Sequence, residues 1–326
     1  MKGLTDIPGI RVGHSSDYDA LTGCTVILCE DGAVAGYDIR GGATGTEEFE
    51  VMSPLHVTDR IHALVFAGGS AFGLEAASGV RRYLEQKGIG YTTRAAKVPL
   101  VPCAILYDLT IGKAGVRPTR EMGEAAAAAA HTGVVEEGAV GAGTGATTGK
   151  IFGIARAMKS GLGTFTVALG GSHAGVLVSC LTVVNAYGDV VDPQTGKLLA
   201  GARASEESLE LVGTAAAMKV LRQAPAPHEN TTLAVVATNA RLSKVQATHL
   251  AQLASVGIAR TISPVWTSYD GDLVVALSIG TRDADINALG VAAAEAVAES
   301  VQRAVRLSPG LGGLPGLAPT RPGGLR

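Results

Sequence analysis

The fold is decided by the stretch His228-Glu229-Asn230-Thr231-Thr232-Leu233-Ala234-Val235-Val236-Ala237-Thr238, where a polar loop becomes an apolar run of strand length. Thr231 follows an asparagine at this junction. An enzyme that cuts its own chain needs this arrangement, because the side-chain hydroxyl attacks the carbonyl just before it. The resulting ester hydrolyses and leaves a free α-amine, with a pKa of about 7.7–8.0, that can act as general base for its own hydroxyl.

Two other interpretations of this stretch stay open on sequence alone. A polar turn followed by a core strand has the same pattern, and spacing by itself favours that simpler interpretation. The triplet Asn230-Thr231-Thr232 also matches an N-glycosylation sequon, which matters only in a secreted eukaryotic protein.

The composition is that of a globular protein. Of the 326 residues, 47% are apolar and 17% are charged, and the formal net charge of -2 provides no basic field for nucleic acid. No apolar run reaches the roughly 18–20 residues that a bilayer requires. Residues 1–9 lack the apolar core of a signal peptide. We therefore expect a cytoplasmic enzyme that binds neither nucleic acid nor membrane.

The cysteines lie in apolar, strand-like runs. They lack CxxC spacing and have no neighbouring histidine cluster, so we predict buried small side chains, no metal site and no cofactor. They are Cys24, Cys29, Cys103 and Cys180.

The order of strands and helices predicts antiparallel sheets layered with helices, because strands mostly follow strands. Strands are expected at 24–29, 33–39, 62–67, 101–109, 163–169, 176–185, 231–238 and 273–278, and helices at 74–86, 120–130, 204–222, 242–256 and 284–305. Asp31-Gly32 between the first two strands predicts a hairpin. No repeat or composition break divides residues 1–326, which predicts a single domain. Its Gly/Pro-rich end, 308–326, is expected to be flexible or to dock on a neighbour.

The glycine-rich segment Gly141–Lys150 resembles a phosphate-binding loop only in part. Thr144 occupies the first glycine position, and Ile151 stands where Ser or Thr should follow the lysine. No clear strand precedes it, as a dinucleotide site would require. A nucleotide-binding module remains an alternative. Otherwise Lys150 is a solvated lysine, or an ammonium that stabilises negative charge at a reacting centre.

A second loop, Gly68–Gly73, lies between a strand and a helix as a nucleophile elbow would. It departs from G-x-S-x-G because Phe72 replaces the last glycine. A serine hydrolase built on Ser70 would need an acid and a histidine, for which His173 or His249 is available. A structural turn at a helix N-terminus, with free N–H groups for an anion, is the alternative.

Acid and amide side chains adjoin two further apolar runs. Asp270 and Asp272 flank a glycine, so both carboxylates can face one site and orient an ammonium or a hydroxyl. Asn185 ends a buried run, where its amide N–H would stabilise an oxyanion. An ordinary Asp-Gly turn and a strand-ending asparagine are the alternatives.

Together and in this order, these motifs resemble the DmpA-type P1 peptidases of peptidase family S58. That family contains L-aminopeptidase/D-esterases, β-peptidyl aminopeptidases and nylon-oligomer (6-aminohexanoate oligomer) hydrolases. The similarity covers nearly the whole chain except the Gly/Pro-rich end. Besides the motifs above, it includes the segments 7–14, 40–42 and 67–74.

The resemblance implies an α+β fold, a four-layer αββα sandwich like that of DmpA and ornithine acetyltransferase and similar to Ntn hydrolases. It also implies cleavage between Asn230 and Thr231 into an α chain, 1–230, and a β chain, 231–326, with four such pairs forming a tetramer. The implied roles are a nucleophile, Thr231; a catalytic lysine, Lys150; an oxyanion amide, Asn185; a pocket tyrosine, Tyr107; and two acidic partners, Asp270 and Asp272. Glu137 is a candidate for recognising a substrate amine.

The threonine nucleophile and the Asp-Gly-Asp set resemble the nylon-oligomer hydrolases more than the aminopeptidase branch, which usually has serine with Ser and Glu downstream. We therefore expect a self-processing hydrolase that cleaves peptide or 6-aminohexanoate-type amides through an acyl-enzyme. An aminopeptidase/D-esterase or β-peptidyl aminopeptidase of the same family is one alternative. An acyltransferase of the ornithine acetyltransferase type, which would pass the acyl group to an amine, is another.

Overall fold

A computed structural model describes residues 1–221 and 229–319. Its strands are Arg11–Asp17 (β1), Thr22–Ile39 (β2), Thr46–Glu47 (β3), Ile61–Ala67 (β4), Tyr91–Thr92 (β5), Lys97–Val98 (β6), Cys103–Ile105 (β7), Thr147–Thr148 (β8), Met158–Lys159 (β9), Leu162–Ala168 (β10), Leu177–Asn185 (β11), Asp189–Val191 (β12), Leu198–Ala200 (β13), Thr231–Ala240 (β14), Ile262–Ser263 (β15) and Leu273–Arg282 (β16). The α-helices are Ala76–Gln86 (α1), Arg120–Ala129 (α2), Thr214–Val220 (α3), Lys244–Thr261 (α4) and Ile286–Arg306 (α5). Short 3-10 helices are Leu4–Asp6, Phe49–Met52, Ser70–Glu75, Gly141–Gly143, Ile154–Arg156 and Gly171–His173.

The main sheet is continuous and mixed. Its strand order is β10-β11-β14-β16-β2-β4-β7-β3, with β1 paired to β2. Neighbouring strands are antiparallel, as predicted, except for the parallel pairs β14–β16 and β4–β7. The 18-residue β2 pairs with β4 mainly through its first half and with β16 through its second half. This long strand therefore connects the two layers of sheet.

The hairpin predicted at Asp31-Gly32 is wrong, because β2 runs straight through these residues. The pairing of β2 with β4 shifts register between Leu28 and Ala33, which makes the site a bulge. Gly32 has φ +84°, and its carbonyl accepts from the Arg60 guanidinium at 2.8 Å. A bulge and a tight turn both favour glycine at positive φ, so the dipeptide alone did not separate them.

Alternation of side chains along the strands builds the layers. In β14, Leu233 and Val235 face the central apolar cluster between the two layers of the main sheet, whereas Ala234 and Val236 pack in a cluster with α4 and α5. On the other side, Val26 of β2 packs in a cluster with α1 and α2. The order is therefore helix, sheet, sheet, helix, which confirms the four-layer αββα expectation.

The helix expected over 204–222 is wrong for its first half, and residue 222 lies outside the described residues. The buried Arg203 donates from its guanidinium to the carbonyls of Ala155, Glu206 and Ser208. A helix would direct these last two carbonyls along its own axis, away from the guanidinium. The segment is therefore a loop that ends at Gly213, just before α3.

The end of the chain also differs from expectation where it is described. Residues 308–319 fold back on their own chain: Pro315 O accepts from Lys159 N at 2.8 Å, and Ala318 N donates to Ser308 O at 3.0 Å. Leu314 is buried. The expected flexibility is therefore not seen for this segment, and residues 320–326 lie outside those described.

The cysteines are free and buried, as predicted. Burial raises the pKa of Cys24 and of Cys29 to about 12, so both thiols stay neutral. In the part of the chain that the structure describes, no group of three or more His, Cys, Asp or Glu side chains is arranged to hold a metal. Over residues 1–221 and 229–319, no helix has the length and apolar character needed to cross a membrane.

Candidate active site

Thr231, the first residue of β14, lies with its side chain against the peptide bond that precedes it. Its Oγ1 donates to the carbonyl oxygen of Asn230 at 2.6 Å. Only 3% of the residue is exposed, so little water competes for the hydroxyl. In the uncut chain, the hydroxyl is therefore positioned beside the carbonyl that self-cleavage would attack.

Strand pairing places Asn185 opposite this threonine. The antiparallel register of β11 and β14 pairs Asn185 directly with Thr231. The Asn185 Oδ1 accepts from Lys150 Nζ at 2.8 Å and from Thr147 N at 3.1 Å. These two bonds fix the orientation of the amide, so its Nδ2 points the other way.

The donor side of Asn185 meets two backbone carbonyls. Nδ2 donates to Tyr107 O at 2.9 Å and to Glu229 O at 3.4 Å. The sequence predicted that this amide would bind the oxyanion. In this structure it donates to the carbonyls of Tyr107 and Glu229, and the Asn230 carbonyl is not among the acceptors seen in the described residues.

Lys150 lies at the centre of this group. Its Nζ also donates to the backbone oxygen of Asn185 at 3.0 Å. Desolvation lowers the pKa of Lys150 to about 7, against the opposing effect of nearby carboxylates that include Asp270 and Glu229. The ammonium therefore changes between charged and neutral near physiological pH, which suits a group that donates or accepts a proton.

Asp270 is held by the loops on either side of the site. Its Oδ1 accepts from Tyr187 N at 3.1 Å, and its Oδ2 accepts from Thr267 Oγ1 at 2.5 Å. Burial raises the pKa of Asp270, while these hydrogen bonds and the charge of Lys150 oppose the rise. The carboxylate is thus a fixed acidic neighbour of the lysine.

Asp272 anchors the backbone immediately after Thr231. Its carboxylate accepts from Thr232 N at 2.6 Å and from Trp266 N at 3.3 Å. Burial, together with the charge of Asp270, raises the pKa of Asp272 to about 8. The two acids therefore carry fewer than two negative charges at neutral pH, because like charges in one buried site disfavour each other.

A backbone donor that the sequence did not single out completes the site. Gly271 N donates to Asn230 O at 2.8 Å, so the carbonyl beside Thr231 has a second partner. A Cβ at position 271 would lie 2.7 Å from Ala43 O and 3.0 Å from Thr231 Oγ1. The signal in the sequence is the glycine between the two acids, for which the sequence suggests no role of its own beyond an ordinary Asp-Gly turn.

Tyr107 reaches the site through both its backbone and its side chain. Its carbonyl accepts from Asn185, as described above. Desolvation raises the pKa of the Tyr107 phenol, and a hydrogen bond and the negative charge of Glu229 raise it further. The phenol therefore stays protonated near neutral pH and contacts the segment that precedes the Asn230–Thr231 bond.

Glu137 is not brought to this group. Its Oε1 accepts from Arg303 Nε at 2.8 Å and from Thr164 N at 2.9 Å, and its Oε2 pairs with the same guanidinium at 2.5 Å. These contacts do not support recognition of a substrate amine, because the carboxylate is already paired with α5. A pocket of about 320 Å³ adjoins the pair, lined also by Lys2 and Phe165.

The geometry does not favour the Ser70 alternative. Ser70 has φ +55°, and its N–H donates to Leu106 O at 2.9 Å. The neighbouring buried acid, Asp108, accepts from Thr22 Oγ1 at 2.7 Å. Within the described residues, no hydrogen bond joins the serine to either proposed histidine, His173 or His249. The loop is therefore a structural turn at a helix N-terminus.

The glycine-rich loop is not a phosphate cradle either. A cradle needs free backbone N–H groups, and here most are bonded within the protein. Those with internal acceptors are the N–H groups of Gly141, Ala142, Gly143, Thr144, Ala146, Thr147, Gly149 and Lys150. The loop is thus a packed support that places Lys150 next to Asn185.

A second lysine, which the sequence did not reveal, holds this loop in place. Lys159 is fully buried, and its Nζ donates to Gly143 O at 3.0 Å, to Ala146 O at 2.8 Å and to Ser160 O. Desolvation lowers the pKa of Lys159 to about 7. It contacts carbonyls and none of the reacting groups, so it supports the site from behind.

The chain is similar to known proteins over nearly its whole length. The family model described as peptidase family S58 matches residues 2–316. An uncharacterized aminopeptidase of Mycobacterium leprae is 36% identical over an alignment 350 residues long, gaps included, which covers 97% of this chain and 93% of that protein. A 6-aminohexanoate-oligomer endohydrolase of Agromyces sp. is 30% identical over an alignment 315 residues long, gaps included, which covers 92% of this chain and 84% of that protein.

The fold also matches a solved structure, the L-aminopeptidase D-Ala-esterase/amidase from Ochrobactrum anthropi, which is described as a variant of the Ntn hydrolase fold. The TM-score is 0.72, over 94% of this chain and 86% of that chain, at 18% sequence identity. At this sequence identity, the similarity supports a shared fold and nothing further.

Proposed function

The chain belongs to peptidase family S58 and is a hydrolase of amide bonds, and from this premise we propose that it cuts its own Asn230–Thr231 bond and then uses Thr231 as an N-terminal nucleophile. The observation that carries the proposal is the 2.6 Å contact of Thr231 Oγ1 with the Asn230 carbonyl oxygen. Asn185 faces the same threonine across the strand pair, and a lysine with a lowered pKa adjoins that amide.

Self-cleavage proceeds as an acyl shift followed by hydrolysis. Thr231 Oγ1 attacks the carbonyl carbon of Asn230, the new C–O bond forms and the C–N bond breaks. The hydroxyl proton ends on the Thr231 nitrogen, which leaves as an amine. Water then hydrolyses the ester, so Asn230 becomes a carboxylate and Thr231 regains its hydroxyl beside a free α-amine.

Turnover repeats the attack on an external amide. The α-amine, with a pKa of about 7.7–8.0, takes the hydroxyl proton. Asn185 donates to the substrate oxyanion. Lys150, with a pKa of about 7, passes a proton to the leaving amine, and the Tyr107 phenol lines the pocket. Water resolves the acyl-enzyme and releases the acid.

We propose peptide or 6-aminohexanoate-type oligomer amides as substrates. The named relatives include both an aminopeptidase and an oligomer endohydrolase, and the threonine with its Asp-Gly-Asp set favours the second group. The pairing of Glu137 with Arg303 gives no support to a free-amine requirement. Assembly into a homo-oligomer of cleaved pairs remains part of the proposal.

The test is the intact mass of purified wild-type protein and of two threonine variants. Wild type should separate into two fragments that part between residues 230 and 231, whereas Thr231→Ala should remain one chain. Thr238→Ala is the matched control: this hydroxyl lies on the same strand and is also buried, but it donates to Leu177 O, so its loss should leave cleavage intact. A cut Thr231→Ala chain would reject the assignment. A panel of aminoacyl amides, β-peptides and 6-aminohexanoate oligomers then ranks the substrates.

A further inference from the structure

The carbonyl of the bond to be cut has two hydrogen-bond partners, and only one can remain during the reaction. Asn230 O accepts from Thr231 Oγ1 at 2.6 Å and from Gly271 N at 2.8 Å. When Oγ1 bonds to the carbonyl carbon, it has given up its proton and no longer donates. The Gly271 N–H is then the remaining donor on the oxygen that becomes negatively charged.

The side-chain amide of Asn185 is already committed to other carbonyls. Its Nδ2 donates to Tyr107 O and Glu229 O. A flip of the amide would break the bonds that its Oδ1 accepts from Lys150 and Thr147. Both N–H groups are therefore engaged away from Asn230 O as long as the chain is uncut.

The Gly271 amide is held rigidly by a neighbouring loop. The carbonyl of the residue before it, Asp270 O, accepts from Ala43 N at 2.9 Å. The carbonyl of the residue after it, Asp272 O, accepts from Arg40 N at 3.0 Å and from Gly41 N at 3.1 Å. A donor fixed in advance does not reorganise as charge develops, which is the main requirement of an oxyanion site.

We propose that the backbone N–H of Gly271 donates to the oxyanion in the self-cleavage step and that the side-chain amide of Asn185 donates to the oxyanion only in substrate turnover. The proposal rests on the self-processing function proposed above. As the Oγ1–C bond forms, the carbonyl electron pair moves onto Asn230 O. The Gly271 N–H stabilises the resulting negative charge by donating a hydrogen bond to this oxygen. When the C–N bond breaks, the pair returns to the carbonyl and Thr231 N carries the proton away.

The decisive experiment replaces the Gly271 amide by an ester, with glycolic acid incorporated at position 271 during cell-free translation of the full chain. The change exchanges one N–H for an oxygen and adds no side chain. Intact mass against time gives the rate of self-cleavage. Loss of one oxyanion donor should slow it by about 10²–10³-fold.

A matched ester controls for the weaker carbonyl that an ester leaves at residue 270. Lactic acid in place of Ala43 removes the N–H that binds the same Asp270 oxygen, and it leaves the Gly271 N–H untouched. This control chain should cleave within about ten-fold of wild type, well short of the loss expected for an oxyanion donor. Equal rates for the two ester chains would overturn the proposal.

A second pair of variants covers the case in which an ester chain does not fold. Gly271→Ala and Gly271→Pro both place a Cβ against Ala43 O, but only proline removes the N–H. Circular dichroism confirms folding of each variant before cleavage is timed. Alanine should cleave much faster than proline, and equal rates would contradict the role of the N–H.

The outcome also separates this inference from the function on which it rests. If wild type stays uncut, both proposals fail. If wild type is cut, Thr231→Ala is not, and the Gly271 ester cleaves at the wild-type rate, then the self-processing function stands and only the assigned donor is overturned.

Discussion

Ser70 and Thr231 both lie close to the end of a strand and near a buried carboxylate, yet of these two only Thr231 is surrounded by groups that can use its hydroxyl. Ser70 follows β4, and its N–H donates to Leu106 O. The nearby Asp108 accepts from the hydroxyl of Thr22. Thr231 begins β14 and faces Asn185 across the strand pair. A hydroxyl at a strand end is thus a candidate nucleophile only when neighbouring strands and loops place hydrogen-bonding and ionisable side chains beside it.

The largest expected effect separates the two hydroxyls directly. Ser70→Ala should self-cleave and hydrolyse amides at close to the wild-type rate, because no hydrogen bond within the described residues joins Ser70 to the Thr231 group. Thr231→Ala should lose both activities, since it removes the attacking oxygen. Intact mass and an amide-hydrolysis assay measure the two effects. Lost hydrolysis in Ser70→Ala with an unchanged fold would reverse the comparison.

The next effect concerns Asn185 in the cleaved enzyme. Asn185→Ala should lower kcat/KM by about 10²–10³-fold with little change in KM, because an oxyanion donor acts mainly in the transition state. Asn239→Ala is the matched control: this asparagine also lies on the main sheet, but its side chain binds Leu177 N and Gly175 O, at the other end of the strand from Thr231. Comparable losses in both variants would point to a purely structural role.

Two buried lysines have a pKa of about 7: Lys150 lies beside Asn185, and Lys159 lies beneath the glycine-rich loop. Because burial lowers these pKa values, the unfolded chain binds more protons between about pH 7 and pH 10, and each lysine makes stability rise with pH across that window. The rise is at most about 1.4 kcal/mol per pH unit for one group.

Lys159→Met should therefore reduce the increase in the free energy of unfolding between pH 7 and pH 9.5. The free energy of unfolding is measured by urea titration at pH 7 to 9.5, in the Thr231→Ala background so that the chain stays whole. The difference between parent and variant isolates Lys159 from Asp272, whose raised pKa acts in the opposite direction. An unchanged slope would show that Lys159 keeps an ordinary pKa.

The smallest expected effect tests the ion pair that lies away from the site. Glu137→Gln should leave KM for free-amine substrates unchanged and lower the free energy of unfolding by up to about 1 kcal/mol, because the partly exposed pair with Arg303 is weakened. Glu136→Gln, an exposed neighbour, is the control. A marked increase in KM for Glu137→Gln alone would restore its role in substrate recognition.

Local pattern predicted the helices and strands well where propensity and caps agree. The long α5, expected over 284–305, begins at Ile286 directly after its N-cap Asp285, whose side chain accepts from Asn287 N and Ala288 N. The failures lie where a distant residue decides the backbone. Arg203 holds a loop open where a helix was expected, and the pairing of β2 with two partners turns an expected hairpin into a bulge.

The sequence by itself determined the reacting pair, because a threonine hydroxyl and the carbonyl before it are neighbours along the chain and need no folding to be close. It also supplied the residue types around them. Only the tertiary structure decided which donors reach that carbonyl and which lysine loses its ordinary pKa. Hydrogen bonds and desolvation depend on distances through space, and Gly271, Asn185 and Lys150 come to Thr231 from separate loops and strands.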